Sequence, residues 1–260
     1  MPHSKRNRVR AFSLVELSIV LVILGLLVGG VLSGKSLIRA SEIRSISTDA
    51  NRYLTAMYTF RDKYFAVPGD MANAGQFWGM INTGGAGGQC AAPLTDTGTG
   101  TQTCNGDGDG KVVGGEWFRA WQHLTSAGLV EGTYSGIADP AGANLATPGL
   151  NVPQSRVNNA GFTLMYSDPV TSETGSWFKN KGGNLLSFGK RYTVSETRVA
   201  AITPEDAWNV DTKMDDGKPG SGKVMGRRDL GACTDTDVTE TAAYLLTVTD
   251  IGCSLRFFLN

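Results

Sequence analysis

An unbroken apolar run opens the hydropathy pattern. From Leu14 to Leu32 the only charged residue is Glu16, and about nineteen residues are enough for a helix to cross a bilayer. No Gly or Pro lies between Gly34 and Pro68, and Ile43, Ile46, Ala50, Tyr53 or Leu54, Met57, Phe60 and Tyr64 recur at helical spacing. The pattern predicts one helix over residues 12–67, with its membrane part at 12–34 apolar all round and its second half amphipathic. Pro68 ends it, because proline biases the preceding residue away from helix. Further on, "GFTLMY", "NLLSFG" and "CSLRFFLN" are short apolar runs suited to strands, the last alternating through Cys253, Leu255, Phe257 and Leu259. "EWFRAWQHLTSAG" predicts a helix that stops before Gly128, and Thr203, Pro204 and Asp206 fit the start of another that runs to about Met214 and stops near Gly217. An amphipathic helix laid on an antiparallel sheet is the economical way to bury these faces, so the fold class is α+β. Residues 68–260 then form one domain with long Gly- and Thr-rich loops.

Charge gives the run a direction. Lys5, Arg6, Arg8 and Arg10 precede it, so the positive-inside rule places the N-terminus in the cytoplasm and the domain outside. A cleaved secretory signal fits less well: the run is longer than a usual signal core, no A-x-A site follows, and a charge sits inside it. The formal net charge is zero, but without residues 1–11 it would be 24 minus 4, or 20 basic residues, against 24 acidic ones. A mildly acidic chain disfavours nucleic acid as a main partner.

Glu16 demands its own account, since a carboxylate in hydrocarbon costs on the order of a few kcal/mol. The stretch "RAFSLVELSIVLVILGLLVGG" resembles the N-terminal signature of type IV pilins and of the pseudopilins of type II secretion. The resemblance implies a leader over residues 1–11, cleaved between Ala11 and Phe12 by a prepilin peptidase that also methylates the new amine of Phe12. Glu16 would be the fifth mature residue, paired in a filament with the Phe12 amine of a neighbouring subunit. Ala11 departs from the usual Gly but is small enough for processing. The same resemblance implies a pilin-like domain, a helical filament of like or homologous subunits, and residence in the bacterial inner membrane as a single-pass precursor before assembly in a periplasmic or extracellular filament.

Cys90, Cys104, Cys233 and Cys253 all lie beyond the apolar run. An even number in an exported domain suggests disulfides, with three connectivities open. Local pairs, Cys90 with Cys104 and Cys233 with Cys253, are favoured, and the second resembles the C-terminal disulfide loop of many type IV pilins, here the region 233–253.

The candidate chemistry of the domain is cation binding. In "NGDGDGKVVGGE", Asn105, Asp107, Asp109, Gly110 and Glu116 fall on the offsets of the calcium-loop pattern D-x-[DN]-x-[DN]-G-x5-E, with Lys111 offering its carbonyl. Asn105 supplies an oxygen but one charge fewer than Asp, and no entering helix precedes it. A second acidic group, Asp211, Asp215 and Asp216, falls at the end of the expected helix, where it opposes the dipole. Catalysis finds no comparable pattern. His123 is expected to be a structural histidine, and "GKPGSGK" lacks the spacing of a phosphate loop. The expected function is therefore a non-enzymatic, calcium-binding filament subunit, and the alternative is an exported calcium-dependent binding module tethered by an uncleaved helix.

Overall fold

A computed structural model describes residues 13–81, 98–139, 145–173, 175–193, 195–229 and 231–259. Two compact units divide the chain, residues 1–42 and 43–260. In the first, Leu14, Val20, Leu26 and Leu32 of the N-terminal helix α1 (Leu14–Tyr64) are all exposed. This is the surface expected of a helix solvated by lipid rather than by a protein core.

Within the second unit the amphipathic half of α1 buries the stripe that its spacing predicts. Ile43, Ile46, Ala50, Tyr53, Met57 and Phe60 are all buried, and Tyr64 packs against the same core. The helix stops at Tyr64 rather than at Val67, because Phe65 turns left-handed (φ 53°) while its amide still bonds to Arg61 O at 2.8 Å. A residue with a Cβ in that conformation costs about 1–2 kcal/mol, which is why glycine usually stands here.

Two short helices follow, α2 (Ala74–Trp78) and α3 (Glu116–Ser126). Next come strands β1 (Ala160–Ser167) and β2 (Gly183–Lys190), helix α4 (Pro204–Met214), and strands β3 (Val224–Gly226) and β4 (Leu255–Phe258). The strands form one antiparallel sheet in the order β1-β2-β4-β3. Its register aligns Phe162 with Phe188, Leu186 with Phe257 and Phe188 with Leu255, so these side chains share one face. Tyr53 of α1 meets that face edge-on, 5.3 Å from Phe162 between ring centroids, and also touches Trp121 of α3 at 4.9 Å. The result is a pilin-like α+β arrangement, a long N-terminal helix against a small sheet.

The strand sequences predict one buried face, yet both are covered. Met165, Leu185, Met225 and Phe258 form a second apolar cluster with Phe178 and Ala242. Arg256 lies on the same side, its guanidinium 3.8 Å from the Trp177 ring centroid and 3.6 Å from Glu196. Ser187 Oγ donates to Thr197 O at 2.9 Å, and Thr197 Oγ1 donates to Ser187 O at 2.7 Å. Loop residues 177–178 and 196–197 thus roof a face that alternation alone would assign to solvent.

A candidate cation loop beside the first helix

Three elements converge on the loop 105–116. Just past α1, Gly69 (φ 92°) passes so close to α3 that a Cβ there would lie 2.5 Å from Glu116 O, which excludes any side chain. Its amide donates to His123 Nδ1 at 3.0 Å. His123 is fully buried, and its Nε2 lies 3.1 Å from Thr103 Oγ1 and 3.2 Å from Cys104 O. Because Nδ1 accepts, the proton sits on Nε2, and burial pushes the imidazole down to about 3. As expected, this histidine is structural. It pins to α3 two segments that precede the loop, at Gly69 and at Thr103 and Cys104.

The residue so positioned is Asp70, whose role the sequence pattern does not contain. Its Oδ1 accepts the amides of Gly108 at 2.7 Å and Asp109 at 3.1 Å, and its Oδ2 accepts Gly110 at 2.8 Å. Gly106 makes this approach possible, since a Cβ there would stand 2.3 Å from Asp70 Cα. From the other side Asn184, near the start of β2, accepts the Val112 amide at 3.0 Å and donates to Gly110 O at 2.8 Å. Inside the loop, Asp107 Oδ1 accepts the Asp109 amide at 3.2 Å and Asp109 Oδ1 accepts the Lys111 amide at 2.8 Å. Glu116 takes the amides of Asp107 and Val113 at 3.2 and 2.9 Å.

The expected ligands are therefore only partly gathered. One oxygen each of Asp70, Asp107 and Asp109 lies within 4.8 Å of the others. Asn105 is turned away, its Oδ1 accepting the Gly75 amide at 2.9 Å. Lys111 keeps its Nζ 4.9 Å above the Tyr166 ring. Burial pushes Asp70 up to about 6 and Glu116 up to about 7, each with Asp107 as an additional unfavourable charge. Carboxylates so crowded are held short of full ionisation, an arrangement that a cation would relieve.

The second acidic group does come together. Asp211, Asp215 and Asp216 also place one oxygen each within 4.8 Å, and Thr203 caps α4 by accepting the Asp206 amide at 3.2 Å as its sequence predicts. Asp211 is fully buried, accepts from Tyr244 Oη and from the Gly217 amide, and is pushed up to about 7 by burial. Asp215 accepts the amides of Lys223 and Val224, and Asp216 accepts Ser221 Oγ at 2.6 Å.

At the other end of α1, Glu16 has a partner in its own helix. Its Oε2 accepts the Ser13 amide at 2.9 Å while Ser13 Oγ accepts the Val15 amide at 3.3 Å. The Glu16 bond is one half of a capping box, legible as S-x-x-E, while Ser13 Oγ caps the second helical amide rather than the third. Together they lower the cost of placing a carboxylate at the edge of an apolar helix. Ala11 and Phe12 lie outside the described residues, as does Cys90. Cys104 is buried, and Cys233 pairs with Cys253 with their Cα atoms 5.0 Å apart.

A pilin-like α+β domain carried on an apolar N-terminal helix is the class that this geometry defines. Residues 6–32 match the family described as "Prokaryotic N-terminal methylation motif", the type IV pilin and pseudopilin signature. No curated protein and no solved structure matches the chain at a significant level. The apolar helix and the motif are consistent with anchoring in the inner membrane.

Proposed function

We propose that this chain is a structural prepilin, a subunit of a type IV pilus-like or type II secretion pseudopilus filament. The observation that carries the reading is the methylation motif at residues 6–32, continuous with a helix that is lipid-like in its first half and buried in an exported-type domain in its second. A prepilin peptidase cuts between Ala11 and Phe12 and methylates Phe12, and the mature helix joins those of neighbouring copies or homologous subunits. In the precursor the Glu16 charge is held by the Ser13 amide. In the filament the methylated amine of a neighbour replaces that weak local partner with an opposite charge in a dry bundle, where the attraction is much larger. Mass spectrometry of the membrane-extracted protein tests this. A mature chain beginning at methylated Phe12 supports it, and one beginning beyond residue 30 points to an ordinary signal peptide. Glu16→Ala should leave cleavage intact and reduce filament yield.

Calcium belongs to the same proposal. Asp107 and Asp109 supply two of the oxygens that the loop pattern requires, Lys111 O a third and Glu116 closes the loop, while Asp70 takes the first position in place of Asn105. The donor set fits a hard cation, being all oxygen with several carboxylates. Such a site would neutralise Asp70, Asp107, Asp109 and Glu116 and hold the loop against α1 and α3. The group of Asp211, Asp215 and Asp216 is the candidate for a second cation at the end of α4.

A further inference from the structure

Beside the acidic loop the surface opens into a cleft of about 880 Å³. One wall is the last turns of α1 and the residue that follows: Tyr58, Arg61, Asp62 and Phe65, one face of a helix at i, i+3, i+4 and i+7. Asn73 and Gly110 also line it. Phe65 is the anomaly. It is 94% exposed and left-handed at once, so its amide closes the end of α1 on Arg61 O while its aromatic ring stays unburied. A left-handed residue commonly ends a helix, but a bulky aromatic there, with its ring in solvent, invites the question of what the ring serves.

We infer that this cleft binds a neutral oligosaccharide, with Phe65 and Tyr58 as its aromatic platforms. The faces of aromatic rings carry negative charge density, and the C–H faces of a sugar ring present the complementary positive edge. The cleft is also lined by planar polar groups suited to neighbouring hydroxyls. The Arg61 guanidinium donates in a fork, the Asp62 carboxylate accepts, and the Asn73 amide does both. Asn73 is at the N-cap of α2 yet makes no side-chain capping bond. Arg61 and Asp62 offset each other and the third charged side chain of the lining, Asp70, has its oxygens turned to the amides of Gly108, Asp109 and Gly110, which disfavours an anionic ligand, and the polar groups along the wall disfavour a purely apolar one. Cleft volumes of this order hold ligands of a few rings. The inference concerns the domain surface and does not rest on the filament reading.

The test uses the full chain in a sugar-free detergent, titrated with maltotriose, cellotriose, chitotriose and mannotriose while saturation-transfer NMR reports contact. At least one trisaccharide should bind the unmodified chain. Phe65→Gly should weaken that binding about tenfold, the loss of one aromatic contact, while melting at the same or a higher temperature because the backbone strain is relieved. A merely structural Phe65 would not separate the two readouts in this way. Asn73→Ala, on an exposed position, should also weaken binding without a change in melting. Failure of all four sugars to bind, or unchanged binding in both variants, overturns the inference. So does loss of self-association in Phe65→Gly without any sugar binding, which would assign the cleft to a second copy of the chain.

Discussion

Tyr244 donates its hydroxyl to Asp211 at 2.8 Å, and both side chains are buried. This contact ties the last turns of α4 to the loop closed by Cys233 and Cys253. Removing the hydroxyl leaves a buried carboxyl with only the Gly217 amide, and an unsatisfied buried group costs about 1–3 kcal/mol. Tyr244→Phe should therefore lower unfolding stability by that amount in chemical denaturation at neutral pH. A change within experimental error would mean that Asp211 finds water or a cation in its place.

Three buried groups and the half-buried Glu116 set opposing pH slopes. Asp70, Glu116 and Asp211 are raised to about 6, 7 and 7, so the native state keeps protons that the unfolded chain releases above about 4. Their contribution is full below that range and is lost as pH rises through 6 to 7. His123, lowered to about 3, acts in reverse. Its contribution is full above its ordinary value of 6.5 and is lost as pH falls toward 3. With three groups against one, the metal-free chain should be more stable at pH 5 than at pH 8, and saturating calcium should remove most of the difference by stabilising the ionised loop. Greater stability at pH 8 in metal-free denaturation curves would contradict the assignment of buried, protonated carboxyls.

For the proposed calcium site, two variants show which residue would hold the first position. Asp70→Asn should weaken calcium binding by about tenfold or more, since a charged ligand becomes neutral. Asn105→Ala should leave calcium affinity nearly unchanged and cost about 1 kcal/mol of stability through the lost bond to the Gly75 amide. Calorimetric titration of both variants separates the two, and the opposite ranking would return Asn105 to the site.

The Cys233–Cys253 bond closes a loop of 20 residues, and chain entropy alone gives a cross-link of that length about 3 kcal/mol. Replacing both residues with Ser should lower stability by roughly that amount and loosen the tether that holds Tyr244 over Asp211. Denaturant midpoints of the unmodified chain and the double variant, both measured without reductant, should differ by that loss.

Local signals were the legible part of this protein. The stripe from Ile43 to Phe60, the Thr203 cap and the strand runs each depend on neighbours within one or two turns, and each appears within a few residues of its expected place. Phe65 broke the helix early because a left-handed residue, not proline, ends it. The loop's internal turns were readable from its Asp-Gly repeat, but Asp70 and Asn184 were not. They approach from 38 and 74 residues away from their partners in the chain, and no periodicity encodes a contact of that kind. The second covered face of the sheet was hidden for a like reason: its roof is loop, and irregular segments carry no pattern that says what they cover.

One consequence lies in the order of the strands. β4 is the last of the described elements along the chain, yet it sits between β2 and β3 and pairs with both. Until residues 255–258 are in place, β3 has no partner strand, β2 has a bare edge, and Leu255 and Phe257 are missing from the centre of the core. The domain therefore cannot close in stages from its N-terminal end. It must be held open, with exposed edges that invite mispairing, until the final strand arrives as its keystone. A chain that lacked even the few residues of β4 would thus be marked as incomplete by its own unfinished sheet.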